Sequence, residues 1–129
     1  MPIVYLTRIE KFSSAHRLHS PHLSDAENAR IYGKCNNKQS HGHNYTCEVM
    51  LKGETDAKTG MVMNVADLKV IFQEKIMSIL DHKHIDDQVE YFKSVPSTVE
   101  NLAVFIFEEL KTVVGDLMYS AFTIFERSI

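Results

Sequence analysis

Two stretches of the chain repeat their apolar residues at three- and four-residue steps, and they constrain the fold more than anything else. In the first, Leu68, Ile71, Phe72, Ile76, Ile79 and Leu80 fall on one face of a helix of about four turns. In the second, Val99, Leu102, Ala103, Ile106, Leu110 and Val113 do the same. Asn64, with Asp67 in the first turn, caps the first helix, and Ser97, with Glu100 three residues on, opens the second after Pro96. A helix with one apolar face needs another layer to bury it against. Residues 4–12, a run from about His43 to Gly53, and residues 117–125 have the β-prone content to supply that layer as strands. The turn-rich residues 54–60 read as a hairpin tip, with 61–63 starting its return strand. Ser24 and Glu27 form a capping-box pattern for a short helix over residues 25–32, which Gly33 ends. The order predicts a single α+β domain over residues 1–129, an antiparallel four-stranded sheet with two helices on one face. Its open edges and uncovered face predict pairing with other subunits.

At 129 residues and 44% hydrophobic, the chain can bury its own core. The formal net charge is −3 with Lys and Arg scattered, which argues against a nucleic-acid surface. A small anionic substrate stays open, because a pocket's local field need not follow the net charge. The amino-terminal residues have neither the basic nor the apolar region of a signal peptide, and no apolar run is long enough to span a bilayer. Two cysteines are too few for a disulfide scaffold, so reduced thiols and a cytoplasmic location are the expectation.

Seven histidines give the chain its chemical character, and five of them sit in two short stretches, His16/His19/His22 and His41/His43. Residues two apart on a strand share a face, so extended backbone through His41-Gly42-His43 aims both rings one way. Gly42 lets the backbone approach a third ligand closely. Three imidazoles with an open fourth position are the ligand set of a catalytic zinc, although a lone His-x-His does not exclude two polar loop histidines. His16, at the end of the first strand, is the third candidate; spacing alone leaves His19 and His22 open. Cys35 lies in an Asn-rich loop six residues before His41, where a thiolate near a metal and imidazoles could act as base or nucleophile. Cys47, in mid-strand, reads as a small core hydrophobe. Asp81 and His82 have the composition of a carboxylate–imidazole pair at a helix end, and Glu126 is a carboxylate at the end of the last strand.

With these residues laid out, the chain resembles the 6-pyruvoyl-tetrahydropterin synthase family. Phe12-Ser13-Ser14-Ala15-His16-Arg17-Leu18 looks like its first zinc-ligand segment, and Gly33 to Asn37 followed by His41-Gly42-His43-Asn44-Tyr45 looks like its catalytic thiol and remaining ligands. Gly60 to Asn64, Leu80-Asp81-His82-Lys83, Pro96 to Asn101 and Phe125-Glu126 match further blocks in the same order. The resemblance implies that His16, His41 and His43 bind one Zn²⁺ per chain and that Cys35 abstracts protons. It implies that Asp81 and His82 complete a relay, and that Glu126 anchors a pterin ring with help from Thr98. It further implies the tunnelling fold, in which trimers close a barrel and two trimers stack into a homohexamer with sites between subunits. The implied reaction converts 7,8-dihydroneopterin triphosphate to 6-pyruvoyl-tetrahydropterin with loss of triphosphate, with Mg²⁺ as a usual requirement. Two departures stand out: the sequence stops soon after Glu126, and Ser40 stands where many relatives have Gly. A sister enzyme, 6-carboxy-tetrahydropterin synthase of queuosine biosynthesis, usually has three residues between thiol and His-Gly-His. Five intervene here, Asn36 to Ser40, which favours the pyruvoyl enzyme. A non-catalytic pterin- or zinc-binding relative is the remaining alternative, and intact Cys35, Asp81, His82 and Glu126 count against it.

Overall fold

Strand β1, Ile3–His16, and strand β2, His41–Glu54, form the spine of the fold in a computed structural model. The structure describes residues 2–125, with residues 122–125 described by their backbone alone. The two long strands run antiparallel from Ile3 opposite Glu54 to His16 opposite His41. Strand β4, Met118–Phe125, adds to the other edge of β2, also antiparallel, with an irregularity at Met50 and Leu51. The fourth member is β3, only Lys83–His84, which pairs parallel with β1 at Ser14 and Ala15. The sheet order is β3-β1-β2-β4.

The sheet is therefore mixed, which corrects the expectation of a purely antiparallel one, and its third strand is not the expected one. Residues 61–63 make no strand, although the loop before them closes tightly, with the Asp56 N–H on Met61 O at 2.9 Å and that of Gly60 on Asp56 O at 2.7 Å. The reason is that β1 and β4 occupy both edges of β2, leaving a return strand no edge of β2 to pair with. Val62 and Met63 pack against the core instead.

Helix α1, Asp25–Tyr32, carries the full capping box of Ser24 and Glu27 and stops at Gly33, whose φ of 57° suits glycine. The first long stripe forms α2, Val65–Phe72, capped by the Asn64 side chain on the Ala66 N–H. It continues through a π-helical turn, Gln73–Met77, into α3, Ser78–Leu80. Leu68, Phe72, Ile76 and Leu80 are all fully buried at a strict four-residue spacing. In an α-helix that spacing drifts by about 40° per step. The π turn, with the Ser78 N–H reaching back to Gln73 O, winds less per residue and absorbs the drift.

After β3 come the single turn α4, Ile85–Gln88, and the long helix α5, Val99–Val114. The N-cap of α5 is Thr98, whose hydroxyl accepts the Asn101 N–H at 3.1 Å; Ser97, expected there, is buried one residue earlier. Leu102, Phe105, Ile106 and Leu110 form the buried face of α5, while Val113 is about half exposed at 46% and drops out of the expected stripe. Facing them from the sheet are Phe12, Tyr45, Cys47, Val49 and Leu51, so Cys47 is the core residue its position predicts. Burying side chains of the Leu, Ile and Phe type stabilises by roughly 1.5–3 kcal/mol each. Among the described residues the opposite face carries no helix. There Tyr5 and Tyr119 meet edge to face at 5.1 Å, with the Lys52 ammonium 5.8 and 5.3 Å from the two ring centroids. Among the described residues the outer edge of β1 is covered only where β3 touches it.

Candidate metal and catalytic site

The alternation of β1 and β2 that builds the core also builds the site. Tyr45, Cys47, Val49 and Leu51 face the helices, and the same period brings His43 and His41 to that side at the end of β2. On β1 the period runs through Phe12 and Ser14 to His16, all buried. The registered pair His16–His41 closes the set. Ring centroids of the three histidines lie 4.6 Å (His16–His41), 4.8 Å (His41–His43) and 5.2 Å (His16–His43) apart. One nitrogen from each lies within 4.8 Å of the others. A Cβ at Gly42 would stand 3.2 Å from Ser14 O, so the glycine permits the close contact between the two histidine-bearing strands. Phe12 stacks on Tyr45 at 5.0 Å beneath them, and burial, then the charge of Asp86, pushes the Tyr45 phenol's pKa upward.

His16 Nδ1 lies 2.9 Å from the carbonyl oxygen of Ser97, which can only accept, so Nδ1 carries the proton and Nε2 presents its lone pair. The Nε2 atoms of His16 and His41 are buried without a hydrogen-bond partner among the described residues. Buried nitrogens left unsatisfied beside one another are what a shared cation would satisfy, so this donor set fits a metal ion. Burial lowers the His16 pKa from 6.5 to about 4, the Ser97 carbonyl offsetting part of the effect and the neighbouring His41 and His43 adding to it. Burial and then His41 lower the His43 pKa as well. Both rings are thereby kept in the neutral form that a metal needs.

The rival histidines are engaged elsewhere. The His19 Nδ1 accepts from the Asn36 amide at 3.0 Å, and the His22 Nε2 lies 3.3 Å from Ser94 O. Cys35 stands outside the histidine cluster, in the 3₁₀ turn Gly33–Asn36. That turn is stitched to the segment just after His16. Cys35 O accepts the Leu18 N–H at 2.9 Å, and Asn36 O accepts the Arg17 Nε–H at 2.8 Å. Ser40, just before His41, holds a φ of 68°, where glycine is favoured. Its hydroxyl lies 2.8 Å from the His84 Nε2.

Asp81 and His82 do pair, Oδ2 to Nδ1 at 2.9 Å, with the His82 side chain 83% exposed in the single chain and its φ at 59°. The pair is pinned to β1: Asp81 accepts the Ser13 N–H at 3.0 Å, and the His82 N–H donates to Ser13 O at 2.7 Å. Partial burial pushes the Asp81 carboxyl up, but the Ser13 N–H and the His82 ring together hold it below its ordinary value. Glu126 lies outside the described residues. The partners of the clustered histidines carry no signal in the sequence. Ser97 shows only a capping pattern, and Asp86 is not marked by any motif.

The model of the family described as 6-pyruvoyl tetrahydropterin synthase matches residues 5–128. The chain belongs to this family. Over 118 residues, 91% of this chain and 80% of the other, it is 53% identical to the 6-pyruvoyl tetrahydrobiopterin synthase of Poecilia reticulata. It is 54% identical over 110 residues to that of Drosophila melanogaster, a match covering 85% of this chain and 66% of the fly protein. The structure of Caenorhabditis elegans 6-pyruvoyl tetrahydropterin synthase superposes with a TM-score of 0.88 at 43% identity, over 98% of both chains. The family's outline thus extends over the strands, helices and histidine cluster just described. Among the described residues no helix is long and apolar enough to cross a membrane.

Proposed function

We infer that this chain converts 7,8-dihydroneopterin triphosphate to 6-pyruvoyl-tetrahydropterin with loss of triphosphate, a carbon–oxygen lyase step of tetrahydrobiopterin biosynthesis. The observation that carries this reading is the convergence of His16, His41 and His43 at one end of the sheet in a chain of the synthase family. Zn²⁺ suits three neutral imidazoles, and when bound it would polarise the hydroxyls of the substrate's side chain as a Lewis acid.

The remaining chemistry is proton transfer. Isomerising that side chain requires protons to leave carbons that bear hydroxyls, and Cys35 is the base in this reading. Asp81 accepts the Nδ1–H of His82 and leaves the other ring nitrogen to take up and pass on a proton. Glu126 is the partner of the guanidine-like edge of the pterin, where a carboxylate can accept paired N–H donors. The Thr98 oxygen accepts one N–H as a helix cap, which leaves its O–H donor and a second lone pair for the pterin. The uncovered sheet face and the open edge of β1 favour assembly, and a homohexamer with sites between subunits lets Cys35 serve a neighbouring chain's zinc. Mg²⁺ as a further requirement and a cytoplasmic location complete the reading.

The test is the mass of the product formed from 7,8-dihydroneopterin triphosphate by zinc-loaded protein. Formation of 6-pyruvoyl-tetrahydropterin with release of triphosphate is expected. A 6-carboxy product would move the chain to the sister enzyme, and binding without turnover would make it a pterin-binding relative.

A further inference from the structure

The two residues of β3 have an effect out of proportion to their length. By pairing with Ser14 and Ala15 they deliver α4, and with it Asp86, to the end of β1 where His16 sits. One oxygen of Asp86, Oδ2, accepts the backbone N–H of Arg17, the residue next to the ligand, at 2.7 Å. The other, Oδ1, accepts the Ser97 hydroxyl at 2.7 Å. Ser97 in turn receives the Nδ1–H of His16 on its carbonyl at 2.9 Å, with its hydroxyl 3.2 Å from the same nitrogen. A single carboxylate thus holds the main chain on one side of His16 and the residue that orients its ring on the other. Ser97 and His16 are both buried, so water cannot readily substitute for either bond.

We propose that Asp86 is a positioning residue for the metal site, fixing the tautomer and direction of His16 through Ser97 and the Arg17 N–H. The proposal rests on the three histidines being a metal site. Partners of this kind typically govern metal affinity by 10–100-fold when they are lost. Asp86→Asn is the informative change: it keeps the size of the side chain but leaves one acceptor oxygen for two donors. Ser97→Ala removes the hydroxyl bridge while the carbonyl that holds His16 stays.

The experiment is competition for Zn²⁺ against a chromophoric chelator, together with the visible absorption of the Co²⁺-loaded protein, which reports ligand geometry. Circular dichroism of the metal-free form checks folding. Asp86→Asn should bind Zn²⁺ on the order of 10–100-fold more weakly and show an altered Co²⁺ spectrum. Ser97→Ala should weaken binding about tenfold, and Ser97→Thr, which keeps the hydroxyl, should restore it. The double variant should lose no more than Asp86→Asn alone, because the two groups act along one chain of bonds. Wild-type affinity and an unchanged spectrum in Asp86→Asn would overturn the proposal, leaving Asp86 as a loop staple. Should Asp86→Asn not fold, Ser97→Ala carries the test, and unchanged affinity there overturns it equally. Failure of the parent protein to bind Zn²⁺ would overturn the metal-site reading and the proposal with it, a result distinguishable from the others.

Discussion

Acid should destabilise the metal-free protein through His16, and the amount can be worked out. The ring's pKa falls from 6.5 to about 4 on folding, chiefly because it is buried. At 1.36 kcal/mol for each pH unit, the full gap corresponds to about 3 kcal/mol. The sign follows from proton uptake. Between the two values the unfolded ring binds a proton and the folded one does not, so acid favours the unfolded chain. The stabilisation is complete above about pH 6.5 and is lost as the pH falls towards 4. Urea unfolding of metal-free protein should therefore show about 2 kcal/mol lost between roughly pH 7.5 and pH 5 on account of this ring. His43, also shifted down by burial, adds in the same direction. His16→Gln removes the titrating ring while keeping a polar side chain of similar reach, and its stability should fall less steeply over the same range. If parent and His16→Gln lose stability in parallel, the reasoning from a buried, neutral His16 is wrong.

Two further outcomes concern the proposed catalysis. Cys35→Ala should retain Zn²⁺ and pterin binding but lose turnover by on the order of 10²–10⁴, with Cys35→Ser little better and Cys47→Ala near the parent rate. Single-turnover kinetics check this, and a parent rate in Cys35→Ala would make the thiol structural. Sedimentation of the active protein should give a particle of six chains; a fully active monomer would refute sites shared between subunits.

Most of what was legible in the sequence was periodic. The two apolar stripes named both long helices because a buried face forces the helical step on the sequence. The capping box at Ser24 and Glu27 gave α1 its start for an equally local reason. His41, Gly42 and His43 were readable as neighbours on one face because strand geometry alone decides that. What escaped was set by tertiary contacts. Lys83 and His84 are too few to carry any alternation, and β3 exists because Asp81 and the His82 N–H are bonded to Ser13. The strand expected at 61–63 does not form because a hairpin return needs a free edge on β2, which β1 and β4 take, and no local pattern reports edges. Asp86 and Ser97 were invisible as ligand partners, since 81 residues separate Ser97 from His16 and only the folded sheet brings them together.

The π turn at Gln73–Met77 links two parts of the molecule that serve different ends. Before it, the helix only packs; just after it, the chain delivers Asp81 to the Ser13 N–H. The wide turn therefore works as a phase adjuster, letting one helix seat its apolar residues in the core and still end where Asp81 meets β1. Deleting one residue there would let the helix close as a regular α-helix, and because a π turn holds about one residue more than an α turn, the residues downstream would keep their facing. Leu80 would stay in the core and the Asp81–His82 pair would stay on β1, with the three histidines, carried by the strands, undisturbed. A length change of one residue at this turn would thus be absorbed within the helix and leave the Asp81–His82 pair and the histidine cluster in register.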